Sequence, residues 1–240
     1  MTARWPRATT LDGFFDTLQC HALGEGPLTR WGLVRATAAA VRLAWEAGGA
    51  QALDGLPPSV SLAGGPPRPT VIEDAEPALA QVEWWASGAT GSDLHGARDT
   101  TRVLAAAARG GYLAAAEALG DEDPGEDRAR LDRWRSGPGA APAVAYWQVE
   151  ALSELVLLAL RAAGGGDDVT GIDVRNAYHA CRAAGLVLYG LGERERRGRR
   201  WASEDRVLVA MRAASRPAPG HPLGRFLRGD GRARAKLSRP

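Results

Sequence analysis

The chain has 240 residues, 45% hydrophobic and 24% charged, an ordinary globular balance that allows one large domain or two small ones. Its net charge of +2 conceals an asymmetry: residues 193–240 carry 14 basic and 5 acidic side chains, a balance of +9, whereas residues 1–192 carry 16 and 23, a balance of −7. Two cysteines, Cys20 and Cys181, exclude a disulfide framework and a cysteine-based zinc site.

Alanine dominates the apolar set, so several helices must combine to bury enough area for a core, with eight tryptophans as bulky anchors. Lys236 is the only lysine, and arginine, alanine, glycine and proline all use GC-rich codons; a high-GC bacterial genome is the expected source. Arg4 and Arg7 are not followed by an apolar run, so no signal-peptide or anchor pattern is read and a cytoplasmic location is expected.

Taken in order, Thr9 or Thr10 can cap a first helix that turns Leu11, Phe14, Phe15, Leu18 and Ala22 inward, and Gly24-Glu25-Gly26-Pro27 stops it. A second helix is predicted over 28–47. Its buried stripe is Trp31, Val34, Ala38, Val41 and Trp45, its exposed side pairs Arg42 with Glu46, and Gly48-Gly49 ends it. Pro57, Pro58, Pro66, Pro67 and Pro69 exclude a helix and make 55–69 a loop, with only short strand signals near 59–62 and 70–72.

The pattern is helical again over 74–87, with Pro77 tolerated in the first turn. Ser92 or Asp93 caps a long alanine-rich helix to 119, in which Gly110-Gly111 predicts a kink. Residues 121–135 run from acidic to basic, as a helix macrodipole favours, and with only Ala129, Leu131 and Trp134 as apolar content they read as a surface helix. Residues 137–142 read as a linker.

Residues 144–163 and 172–191, joined by Gly164-Gly165-Gly166-Asp167-Asp168, are the most apolar long segments and predict a central antiparallel helical pair. The first places Val144, Trp147, Ala151, Leu155, Leu158 and Ala162 on one face, with Leu152, Val156 and Ala159 beside it, so Trp147, Leu155 and Leu158 should be nearly fully buried. A helix apolar around most of its circumference belongs in a bundle or a membrane; Glu150 and Glu154 mid-segment, and the lack of an uninterrupted run near ~18 residues, favour the bundle. The second opens on Thr170 and Asp173, a capping-box-like start, and its half over 183–191 should lie deepest. Ser203 then caps a last helix to about 214, with Val207, Leu208 and Met211 inward. Residues 216–240, rich in proline, glycine and arginine, read as disordered.

The expected fold class is therefore all-α: an irregular helical bundle of about six to eight helices around a central antiparallel pair. It forms a single helical domain over 1–215, followed by a disordered basic tail over 216–240.

The chain has no P-loop, no HExxH and no Glu-x-x-His of the di-iron kind, and Gly164-Gly165-Gly166 follows a helix, where it reads as a cap and turn. Asp93, His95 and Asp99 cluster at a helix start, which collects acids for electrostatic reasons. No metal and no cofactor are expected. The chemically distinctive constellation is Arg175, Asn176, His179 and Arg182. At helical spacing Arg175, His179 and Arg182 share a face, and an Arg–His pair can hold a phosphate with His179 as acid or base near neutral pH. The bland reading is a solvated polar strip on a buried helix. The five residues Arg175-Asn176-Ala177-Tyr178-His179 resemble the Arg-polar-x-x-x-His signature of HEPN ribonucleases, which are also helical bundles. One residue is missing between Asn176 and His179, so the family's spacing is absent and its function is not carried over. Glu150 and Glu154, one turn apart on the neighbouring helix, are placed to pair with Arg175 or Arg182 and to specify how the two helices pack.

Three function classes follow. The first is a non-enzymatic helical regulatory or interaction protein. Its C-terminal region, with Arg194, Arg196, Arg197, Arg199 and Arg200 as the binding cluster, contacts nucleic acid or an acidic protein partner and no membrane. The second is a small helical hydrolase or ribonuclease using His179 and Arg175. The third is a bundle enzyme or ligand-binding module with an apolar pocket.

Overall fold

Side-chain oxygens set where the helices begin. Thr10 Oγ1 accepts from Gly13 N at 3.1 Å, Thr29 Oγ1 from Gly32 N at 3.0 Å, Asp93 Oδ1 from Gly96 N at 2.8 Å, and Thr170 Oγ1 from Asp173 N at 3.4 Å. Each answers one backbone donor that the first turn leaves without a helical partner. A computed structural model describes residues 10–22, 29–121, 127–134, 137–165, 168–197 and 200–214. Among these residues the α-helices are α1 (Leu11–Ala22), α2 (Arg30–Gly48), α3 (Ala75–Ala86), α4 (Leu94–Ala118), α5 (Asp127–Trp134), α6 (Ala140–Gly164), α7 (Gly171–Gly190) and α8 (Ala202–Ala214). Two short antiparallel ladders accompany them: β1 (Ser59–Ser61) with β2 (Pro67–Pro69), and β3 (Arg196–Arg197) with β4 (Arg200–Trp201). The protein is all-α.

α6 and α7 pack together more extensively than any other pair, and α4 and α2 both lie against α6. The pair is antiparallel. Arg161, near the end of α6, reaches Asp173 at the start of α7, while at the other end Gly190 sits so close to Val144 that a Cβ on it would meet Val144 Cγ2 at 2.7 Å. One contiguous apolar core draws on α1, α2, α3, α4, α6, α7 and α8; a second, aromatic one gathers Tyr112, Leu131, Trp134, Ala143, Leu186 and Tyr189. Leu155 and Leu158 are fully buried, and so is every residue from 183 to 189; Leu191, expected to lie as deep, falls just past the end of α7 and is exposed. Trp147 differs from expectation. It is half-buried, because it stands at the seam of the two cores against Tyr146 and Tyr112, with ring centroids 4.7 and 6.3 Å away.

By length and mean hydropathy α6 is the one helix among the described residues that could cross a membrane, its two glutamates notwithstanding. What places it in a protein core is packing: 61% of its most apolar window is covered by other parts of the chain.

Several local expectations shift. α6 starts at Ala140, so Pro142 falls in its first turn, where a missing N–H costs nothing, and only 137–139 remain as connector. The proline-rich segment holds the β1–β2 hairpin, with Pro67 and Pro69 tolerated because each strand of a two-stranded ladder has a free edge. α4 continues through Gly110 and Gly111 without a break. α5 covers only 127–134 and is docked by Leu131 and Trp134, both buried. Arg42 turns away from Glu46 to Glu83 on α3, bidentately at 2.8 and 2.6 Å, and to Glu76 at 3.1 Å. Ser203 is buried inside α8, whose first residue is Ala202, and does not cap it. The expected tail, 216–240, lies outside the described residues, as does the side chain of Cys20.

Candidate functional site

The polar half of α7 is fixed from its first turn. Asp173 is fully buried and takes four donors: Arg30 Nε at 2.8 Å, Arg161 Nε at 3.0 Å, Thr170 N at 2.8 Å and Thr170 Oγ1 at 2.7 Å. Burial alone would raise its carboxyl pKa, but the Thr170 hydrogen bonds, then Arg161 and the charge of Arg30, hold it below the usual value. The residue read as a helix cap is also the ion-pair anchor joining α2, α6 and α7.

Past this anchor, Arg175, His179 and Arg182 line one side of α7. Arg175 Nε donates to His179 Nε2 at 3.5 Å, a long contact that a neutral imidazole accepts. Partial burial, then the charges of Arg175 and Arg182, lower the His179 pKa from its ordinary value. Arg182 is taken by Asp127 of α5, not by a glutamate of α6. Asn176 is half-buried beside this strip.

The neighbouring helix, α6, carries Tyr146, Glu150 and Glu154 at successive turns; Glu154 feels the charge of Arg175, whereas Glu150 and Tyr146 feel that of Arg109 on α4. The antiparallel register set by Arg161–Asp173 and Val144–Gly190 puts Glu154 level with the turn of α7 that holds His179. Burial, then Glu150, push the Glu154 carboxyl up to about 7, with Arg175 acting against the rise. Burial also raises Glu150, opposed by Arg109 of α4, and burial followed by Glu150 pushes Tyr146 up to about 12. Among the described residues neither glutamate lies at ion-pair distance from an arginine, so the expected bridge to Arg175 or Arg182 is replaced by a longer-range attraction. The geometry thus brings His179 and Arg175 together, with a carboxyl titrating near neutrality on the next helix. Such a set can exchange protons and attract an anion.

The basic cluster divides. Arg194 Nε donates to Tyr189 O at 3.1 Å and Nη2 to Gly190 O at 3.5 Å, while Nη1 lies 3.5 Å from Asp132. It closes the C-terminus of α7, where orphan carbonyls and the helix dipole favour a cation. Arg196 is exposed and sits over the Trp201 ring at 5.5 Å, a ring that Arg128 also covers at 5.5 Å. Arg197 pairs with Arg200 through the β3–β4 backbone; their side chains, and Arg199, lie outside the described residues.

Sequence reasoning named the α7 strip and both glutamates but not Arg109 or Tyr146. The i, i+4, i+8 spacing of Tyr146, Glu150 and Glu154 was the available signal. It also passed over Asp12 and Asp16 on α1, which face α7 across a cavity.

No protein-family model matches the chain, and neither the curated proteins nor the solved structures give a significant match. Fold and side chains alone define the class: an all-α bundle with a mixed-charge strip between α6 and α7 and a basic C-terminal region.

Proposed function

We propose that this is a non-enzymatic helical interaction protein whose arginine-rich C-terminal region engages nucleic acid or another acidic partner. The observation that carries this reading is how the cations divide. Within the bundle, Arg30, Arg42, Arg128, Arg130, Arg161 and Arg182 each pair with a carboxylate of the same chain, while Arg35, Arg98, Arg102 and Arg109 are scattered over α2 and α4 without an ion pair among the described residues, in a segment (1–192) whose net charge is −7. Residues 216–240, by contrast, hold seven basic side chains against the single acid Asp230. Excess positive charge is therefore concentrated at one end, where it acts over a Debye length on a polyanion. Arginine suits phosphate because its planar fork donates two hydrogen bonds at once. With Phe226 as the only aromatic residue there, base stacking contributes little, and binding should be insensitive to sequence and steep in salt.

The test is a fluorescence-anisotropy titration of a random duplex and a random single strand at several salt concentrations, using the full chain and a chain ending at residue 215. The full chain should bind both, and the shortened one should bind more weakly with a shallower salt slope. Equal binding by the two chains would remove the last 25 residues from the proposal. Absence of binding by either would exclude nucleic acid as the partner.

One observation supports a second reading, a hydrolase or ribonuclease using His179 and Arg175: Arg175 donates to His179 and also feels the Glu154 carboxyl, which is pushed up to about 7. The first reading predicts no cleavage of RNA or of a phosphodiester. A wild-type cleavage activity lost in a folded His179→Ala protein would reverse the order of the two.

A further inference from the structure

At the start of α7, α1 and α7 flank a cavity of about 580 Å³ that is open to solvent on one side, within the usual size of small-molecule sites. Its chemistry is divided between the two helices. α1 contributes Asp12 and Asp16, one turn apart and both exposed; α7 contributes Arg175. Phe15, Val174 and Ile172 supply apolar lining, and Ile172 is 54% exposed although it is a large apolar side chain. Tyr178 fixes the arrangement. Its ring meets Phe15 edge-on at 5.5 Å, and its hydroxyl donates to Asp12 Oδ1 at 3.0 Å. That bond orients the Asp12 carboxylate and leaves its other oxygen open to a second donor. Arg175 uses Nε toward His179, which leaves its two terminal nitrogens. Among the described residues neither these nitrogens nor Asp16 has an ion-pair partner.

Helix electrostatics accounts for only part of this. An acid in the first turn stabilises a helix N-terminus, which covers Asp12, but Asp16 lies beyond the first turn, where that effect has faded. Two carboxylates at i, i+4 also repel each other, a cost that a bound cation removes.

We propose that this cavity binds a zwitterionic ligand of dipeptide size, with its ammonium between Asp12 and Asp16, its apolar side chains on Phe15, Ile172 and Val174, and its carboxylate on Arg175. The charge pattern selects among ligand classes. A polyamine would bring a cation against Arg175, and a dicarboxylate would bring an anion against two aspartates; like-charge contacts of this kind are what excludes wrong partners. A neutral apolar ligand would offer a counter-charge to none of the three charged groups. The volume exceeds what a single small amino acid fills, which favours two residues over one. This site does not depend on the polyanion reading of the C-terminal region.

The test is isothermal titration calorimetry on the full chain with leucyl-leucine, its N-acetyl form and its C-terminal amide. The free dipeptide should bind, and each capped form should bind about tenfold more weakly, because each loses one charge-assisted contact. Asp16→Asn should weaken the dipeptide and the amide while leaving the N-acetyl form unchanged. Arg175→Gln should weaken the dipeptide and the N-acetyl form while leaving the amide unchanged. Asp16 and Arg175 are both exposed, so circular dichroism should show either variant folded. No heat of binding by the wild type at millimolar dipeptide, or equal affinity for all three forms, would overturn the proposal.

Discussion

Asp173 and Glu154 sit on adjoining helices and answer burial in opposite ways. Both lose water, but Asp173 gains four donors, whereas Glu154 has none at bonding distance among the described residues and has Glu150 one turn away. Asp173 therefore stays charged below its ordinary range and Glu154 is pushed up to about 7. Replacing Asp173 by Asn leaves the guanidinium of Arg30 buried without its counter-charge. It should cost about 3–5 kcal/mol, measured by denaturant unfolding. The stabilisation from Asp173 is fully present above its unfolded value near 3.8 and is lost as pH falls through its lower folded value. For Glu154 the sign reverses. The folded protein binds the proton more tightly, so its contribution is present below 4.5 and is lost as pH rises through about 7. His179 runs against this trend, since its lowered pKa adds stability as pH rises toward 6.5. A comparison with Glu154→Gln isolates the glutamate: the variant's melting temperature should fall less than the wild type's between pH 4.5 and 7. Parallel melting curves across that interval would show Glu154 to be solvated like a surface carboxylate.

At the scale of elements, α6 is the helix on which most of the others converge. Leu155 is fully buried there, and truncating it to Ala should cost about 2–5 kcal/mol, seen as a lower denaturation midpoint with an unchanged slope. An unmoved midpoint would mean that this face is not packed. The α6–α7 pair could be read from sequence because its signals are local: apolar spacing, and Thr170 followed by Asp173. Other features depend on which elements become neighbours. Arg42 was matched to Glu46 by the i, i+4 rule, yet α3 brings two glutamates to the same guanidinium, and a bidentate contact wins over a single exposed pair. Trp147 lies on the apolar stripe, but periodicity does not tell a core facing from an aromatic seam. Arg30 meets Asp173 across 143 residues of chain, beyond any local pattern. The candidate site follows the same division. His179 with Arg175 was visible as helical spacing, whereas the cavity beside them exists only because α1 docks on α7.

At the scale of the whole molecule, some arginines are held by carboxylates and carbonyls of the fold while the C-terminal sequence carries an excess of them, and Arg194 tests where that line runs. Sequence placed it with Arg196–Arg200 as one basic cluster; the structure ties it to Tyr189 O, Gly190 O and Asp132 at the end of α7. Arg194→Ala should therefore act on stability, by about 1–3 kcal/mol as charge-assisted hydrogen bonds to helix-end carbonyls are lost. It should leave polyanion affinity and its salt slope where they were, because a cation already held by carbonyls and a carboxylate neutralises no phosphate and so frees none of the counterions condensed on the polyanion. Loss of residues 216–240 should do the reverse. The slope of log affinity against log salt should fall by about 0.9 for each phosphate contact removed on a duplex, with the melting temperature unchanged. The two variants thus form a crossed pair, one moving stability and the other moving salt dependence. If Arg194→Ala flattened the salt slope as much as the truncation does, the division between arginines held by the fold and the C-terminal excess would fail. The interaction surface would then have to include the end of α7 itself.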